Sequence, residues 1–95
     1  MKEVTEEKLS KYFAITKEAM DMAFDSKNRL NMVAERNDFK DMIERYYSDA
    51  EHFKKKGDWI NAFAALNYAH GWLDAGARIG LFDVHNSKLF TVDDN

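Results

Sequence analysis

The stretch Gly57–Gly80, GDWINAFAALNYAHGWLDAGARIG, limits what this chain can become more than any other part of it. Gly57-Asp58 is a stop-and-restart signal between two helices, and Gly80 is a helix-ending residue. Between them only Asp58, Asp74 and Arg78 carry a full charge. Apolar positions recur at helical rather than alternating spacing. A helix so nearly uncharged gains its stability from burying its faces, not from intrinsic propensity. Other segments must cover it, and any partner surface is expected to involve it.

The chain has 95 residues, which is one domain with one modest core. Hydrophobic residues make up 45% and charged residues 33%, the balance of a folded chain rather than a disordered one. Seven Phe, four Tyr and two Trp supply a large anchor for each helix. Proline is absent, so no helix is interrupted by a missing donor. Cysteine is absent too, which excludes disulfides, thiolate metal sites and a Cys nucleophile. A net charge of −3 argues against general nucleic-acid binding, which needs a clustered basic face. The start, MKEVTEEKLSK, has no apolar run of the secretory kind. No stretch reaches the roughly 18 apolar residues of a membrane span. A cytoplasmic protein with no membrane partner and no cofactor is the expectation.

The first helix is expected to begin at Thr5, whose hydroxyl can cap a first turn rich in acids. Its stripe is Leu9, Phe13, Thr16, Met20, Ala23 and Phe24, widened by Ile15, Ala19 and Met22. Asp25 to Arg29 reads as a connection. The second helix could start early, capped by Asn28 or Asn31, or late, capped by Asn37-Asp38. The early start is favoured, with a weak spot near Asn37. Its clear stripe is Phe39, Ile43, Tyr46, Ala50 and Phe53. Lys54-Lys55-Lys56 then suits the negative end of a helix. The short Gly57-Asp58 turn makes the second and third helices antiparallel neighbours.

On the third helix Trp59, Ala62, Phe63, Leu66, Leu73 and Ala77 share one side, with Tyr68, Trp72 and Ile79 roughly opposite. Ala62, Ala65, Ala69, Gly76 and Gly80 form a strip of small residues where another element can approach closely. Leu81 and Phe82 are expected to fold back on the bundle. Residues 83–95 read as a C-terminal tail beyond a helical domain at 1–82, with a mobile end at Asp93-Asp94-Asn95. Leu89 to Val92 could form a short extended segment.

Lys56-Gly57-Asp58-Trp59 with Ala62 and Tyr68-Ala69 resembles the turn and second helix of one tetratricopeptide-type hairpin, without the repetition an array needs. A broader likeness runs through Tyr46-Tyr47-Ser48-Asp49-Ala50-Glu51-His52-Phe53, Lys56-Gly57-Asp58 and Tyr68-Ala69-His70-Gly71-Trp72-Leu73-Asp74-Ala75-Gly76, continuing at Arg78, Gly80, Leu81 and Phe82. Here the chain resembles the short archaeal proteins grouped as domain-of-unknown-function family 357. The resemblance implies an archaeal source and a short bundle with an antiparallel hairpin, and implies no activity.

Two sets of side chains stand out. The first is a polar cluster, Asp49, His52, His70, Asp74 and Arg78. Two carboxylates and two imidazoles from facing helices could ligate zinc, iron or manganese. In the plainer reading His70 is a bonded core histidine, Asp74 and Arg78 form an i, i+4 ion pair, and Asp49 accepts a bond from an aromatic side chain. Arg45 and His52 also resemble, at a loose spacing, the pair used by helical RNA-cleaving domains of the HEPN type. The second set is the aromatic side of the third helix, Tyr68, Trp72 and Ile79, which Ile15 and Met22 of the first helix could extend. Such patches mark protein partners, and a homodimer is the simplest. The sequence therefore points to an all-α, three-helix up-down-up bundle with a tight hairpin of helices two and three. It favours a non-catalytic interaction or self-association module over a metal-binding or RNA-processing enzyme.

Overall fold

A computed structural model describes residues 3–29 and 31–92. It contains three helices, α1 (Glu6–Asp25), α2 (Val33–Lys55) and α3 (Trp59–Ile79). The expectation for Asp93-Asp94-Asn95 lies outside the described residues.

The helix ends follow the residue chemistry. Thr5 Oγ1 accepts from Lys8 N at 3.1 Å, as expected of the cap of α1. Asp58 caps α3 by accepting from Asn61 N at 3.2 Å. Gly57 takes φ +78° and Gly80 φ +89°, left-handed values that stop α2 and α3 respectively. Leu81 N then reaches back to Gly76 O at 2.9 Å, satisfying a carbonyl that the helix end leaves bare. The early start of α2 holds, and the helix runs unbroken through Asn37. Neither expected asparagine caps it. Its first turn follows Met32 with no side-chain cap, Asn31 sits at φ 54°, and the Asn28 amide is buried without a hydrogen-bond partner among the described residues.

The three helices form an all-α bundle with α3 in its middle. Both α2 and α1 pack along α3, α2 the more extensively. Residues from all three meet in two clusters. One, near the α2–α3 turn, holds Leu9, Ala50, Ala62, Ala65 and Leu66. The larger holds Met20, Ile43, Ala69 and Leu73 and reaches Phe82. Between α1 and α2, side chains bridge: Phe13 meets Tyr47 edge-on with ring centroids 5.6 Å apart.

Leu81 and Phe82 are fully buried, as the fold-back after Gly80 requires. Residues 83–92, expected as a tail, also carry Val84, Leu89 and Phe90 into the larger cluster. No strand forms there. Leu89 N and Phe90 N both bond Asn86 O, making a turn where an extended segment was considered.

Arg36 ties one end of the bundle together. It lies in the first turns of α2, half-buried, and its guanidinium donates to Leu81 O at 2.8 Å, Ser26 O at 2.7 Å and Phe24 O at 3.1 Å. It therefore serves carbonyls at the C-terminal ends of α1 and α3 at once, where the helix dipoles favour a cation. Its carbon Cζ also lies 5.3 Å from the Phe82 ring centroid. Two backbone bonds reinforce this end, Arg29 N to Gly80 O and Asp83 N to Lys27 O, each at 2.9 Å.

Candidate functional site

The polar cluster divides between two elements. On α3, His70, Asp74 and Arg78 stand at successive turns, and all three face residues 89–91. His70 Nε2 donates to the Leu89 carbonyl. Asp74 Oδ1 accepts from Thr91 N at 2.9 Å, and Arg78 Nη1 donates to Thr91 O at 3.4 Å. These side chains pair the backbone of a segment that runs beside a helix and has no sheet to satisfy it. The expected Asp74–Arg78 ion pair is therefore replaced: each partner turns to the backbone of Thr91. Asp49 and His52, on α2, are exposed. The His52 ring lies near Phe53, with centroids 6.1 Å apart, and Arg45 pairs instead with Asp41 at 2.9 Å. Among the described residues no three His, Cys, Asp or Glu side chains converge as a metal site would require.

The aromatic set is brought together in part. Tyr68 is 63% exposed and stacks on Tyr46, with centroids 5.2 Å apart and planes 16° apart. Trp72 is half-buried and meets Phe39 edge-on at 4.8 Å. These pairs exist because the α2 stripe of Phe39, Ile43 and Tyr46 runs antiparallel beside α3. They border an open groove of about 630 Å³ lined by Phe39, Ala64, Asn67, Tyr68, Gly71, Trp72 and Ala75, with no charged residue among them. Ile79, 47% exposed, lies two turns beyond Trp72 on α3. Ile15 and Met22 are elsewhere. Both pack against the larger core cluster, and Met22 borders the segment that carries Val84.

Three features escaped the sequence reading. Ile60 is 74% exposed, the most exposed large apolar side chain on α3, and it stands two turns before Tyr68 on the same face. Helical spacing from Tyr68 would have found it. Ala64, Gly71 and Ala75 form the floor of the groove, whereas the strip noted from sequence, Ala62, Ala65, Ala69 and Gly76, is buried. Phe39, on the α2 stripe, packs against the larger cluster and also serves as one wall of the groove.

On the side of α2 that faces α1, burial pushes the Tyr47 hydroxyl above the usual tyrosine range, and the Glu51 carboxylate acts in the same direction. On α1 the Lys17 ammonium is held above its ordinary value by a hydrogen bond to Asp21 at 2.7 Å.

Comparison with known proteins gives one family. The family described as "Protein of unknown function (DUF357)" matches residues 11–82, a span that covers α1 from Lys11, all of α2 and α3, and the turn through Phe82. No curated protein and no solved structure matches the chain.

Proposed function

Because the chain belongs to the DUF357 family, whose description assigns no activity, we propose a role from its surface: a non-catalytic interaction module that docks a protein partner on the outer face of α3. One observation carries this reading. The groove between Phe39, Tyr68 and Trp72 is open, largely apolar and free of charge, while α1, α2 and the C-terminal segment pack on the other sides of α3. Exposed aromatic and apolar surface of this kind is characteristic of the desolvated centre of a protein interface. The engagement of His70 and Asp74 with backbone atoms supports a reading without catalysis, since the imidazole and carboxylate that would carry chemistry already hold structure. Among the described residues no helix is long and apolar enough to cross a membrane.

The test is recovery of bound protein from source cells with the wild-type chain and with Tyr68→Glu as bait. A partner held by the wild type and by Asp49→Asn, and lost with Tyr68→Glu, is the expected result. Equal recovery with all three baits would contradict docking on this face.

A further inference from the structure

The exposed stripe of α3 is nearly a mirror of itself. Ile60, Ala64 and Tyr68 occupy one half, and Gly71, Ala75 and Ile79 occupy the other. About a centre between Ala69 and His70, Ile60 is matched by Ile79, Ala64 by Ala75 and Tyr68 by Gly71. All six are exposed. A two-fold axis perpendicular to α3, lying against its exposed face at the height of that centre, sets two antiparallel copies so that matched positions stand at the same height. Isoleucine then meets isoleucine at both ends, and alanine meets alanine one turn further in. At the middle, the largest side chain of one copy comes level with the smallest of the other. We propose that the partner of this face is a second copy of the chain, docked antiparallel along α3, with Tyr68 of each copy seated at Gly71 of the other. The inference rests on the docking reading above and names its occupant.

Three further observations favour this occupant. No charged side chain stands on the six positions, and the exposed Arg78 beside Ile79 comes level with Asn61 of the other copy rather than with its own equivalent, so the two faces set no like charges opposite each other. A Cβ added to Gly71 would meet nothing within 4 Å, so this glycine relieves no crowding inside one copy. A helix-interior glycine with nothing packed on it is disfavoured within the monomer, and close approach by a partner supplies the missing reason. Finally, a 21-residue helix offers a strip about 31 Å long and 10–12 Å wide. That is on the order of the largest apolar patches on monomers, about 300–600 Å². Even with the flanking α2 walls at Phe39 and Tyr46, both half-buried, it stays below the roughly 800 Å² per partner of a standard interface. The area suits a reversible dimer rather than an obligate one.

Sedimentation of the full chain across a dilution series tests this, using wild type, Tyr68→Glu, Gly71→Leu and the off-face control Asp49→Asn, with helix content monitored by circular dichroism. The expected result is a reversible monomer–dimer equilibrium in the micromolar range for wild type and Asp49→Asn, weakened at least tenfold in both face variants with helix content intact. Gly71→Leu is the decisive variant, because it adds apolar surface to an open position and still blocks the partner's tyrosine. A wild-type chain that stays monomeric up to millimolar concentration overturns the second copy. If Tyr68→Glu nevertheless abolishes recovery of another protein from cells, docking on the face survives. A dimer unchanged by both face variants overturns the second copy and removes this support for the face.

Discussion

The ring of Phe82 occupies the space a side chain at Gly76 would need: a Cβ built there would meet Phe82 Cε2 at 2.5 Å and Cδ2 at 2.6 Å, with Phe39 Cδ2 at 3.3 Å. Phe82 is fully buried and has nowhere to retreat. Gly76→Ala should therefore destabilise the fold by about 1–3 kcal/mol, the usual cost of overpacking, despite a gain of about 1 kcal/mol in helix propensity. Gly71→Ala, at an open position of the same helix, should stabilise it by about 0.5–1 kcal/mol at concentrations below self-association. Urea unfolding of the two variants checks this, and shifts of the same sign would contradict the packing described.

Arg36 is the next most exacting position. Its guanidinium serves carbonyls from the ends of two helices in a fork that no other side chain reproduces. Arg36→Lys keeps the charge and loses the fork. A loss of about 2 kcal/mol is expected, on the scale of charge-assisted hydrogen bonds in a half-buried site. A denaturation midpoint within error of wild type would show that the charge alone suffices.

The segment after α3 is a working part of the core. Phe90→Ala removes a ring that is 3% exposed and should cost about 3 kcal/mol or more. Asp74→Ala leaves Thr91 N without its acceptor and should cost about 1 kcal/mol, because that site is reached by water. Thermal melts of both variants test the ranking, and a Phe90→Ala protein as stable as Asp74→Ala would place the segment outside the core.

Alkaline pH should weaken the fold in part through Tyr47. Burial raises its folded-state pKa above the ordinary 10.0, so the native state holds the phenolic proton more tightly than the unfolded chain does. The resulting stability is complete below the unfolded value and is lost as pH rises through the raised folded value. In Tyr47→Phe the fall in melting temperature above about pH 10 should be shallower than in wild type. Identical slopes would remove Tyr47 as a contributor.

Much of the fold was legible because local chemistry and packing agree. Thr5, Gly57, Asp58 and Gly80 mark helix ends through capping and left-handed turns, which neighbouring residues decide. The start of α2 was less legible because its favourable contacts are long-range: Arg36 finds its carbonyls on α1 and after α3, and no spacing along α2 announces that. The C-terminal segment was hidden for the same reason. Its anchors, His70, Asp74 and Arg78, stand out in the sequence as part of the polar cluster, but their partners are backbone atoms up to 19 residues away in sequence. At the candidate site, Tyr68, Trp72 and Ile79 could be selected from helical phase. The groove could not, because its far wall is Phe39 of α2 and its floor is made of small residues whose exposure depends on where α2 and the C-terminal segment lie.

The absence of native cysteine allows the register of the proposed dimer to be read directly. Ala64→Cys and Ala75→Cys chains, mixed and treated with a short bifunctional thiol reagent, should crosslink to each other, because the two positions stand at the same height across the axis. Like chains should not, since identical positions are 11 residues apart along the helix, about 16 Å at the rise of an α-helix. Crosslinking dominated by mixed pairs is the expected result. Crosslinks of Ala64→Cys to itself, or none at concentrations where the chain is dimeric, would contradict an antiparallel second copy on the open face of α3.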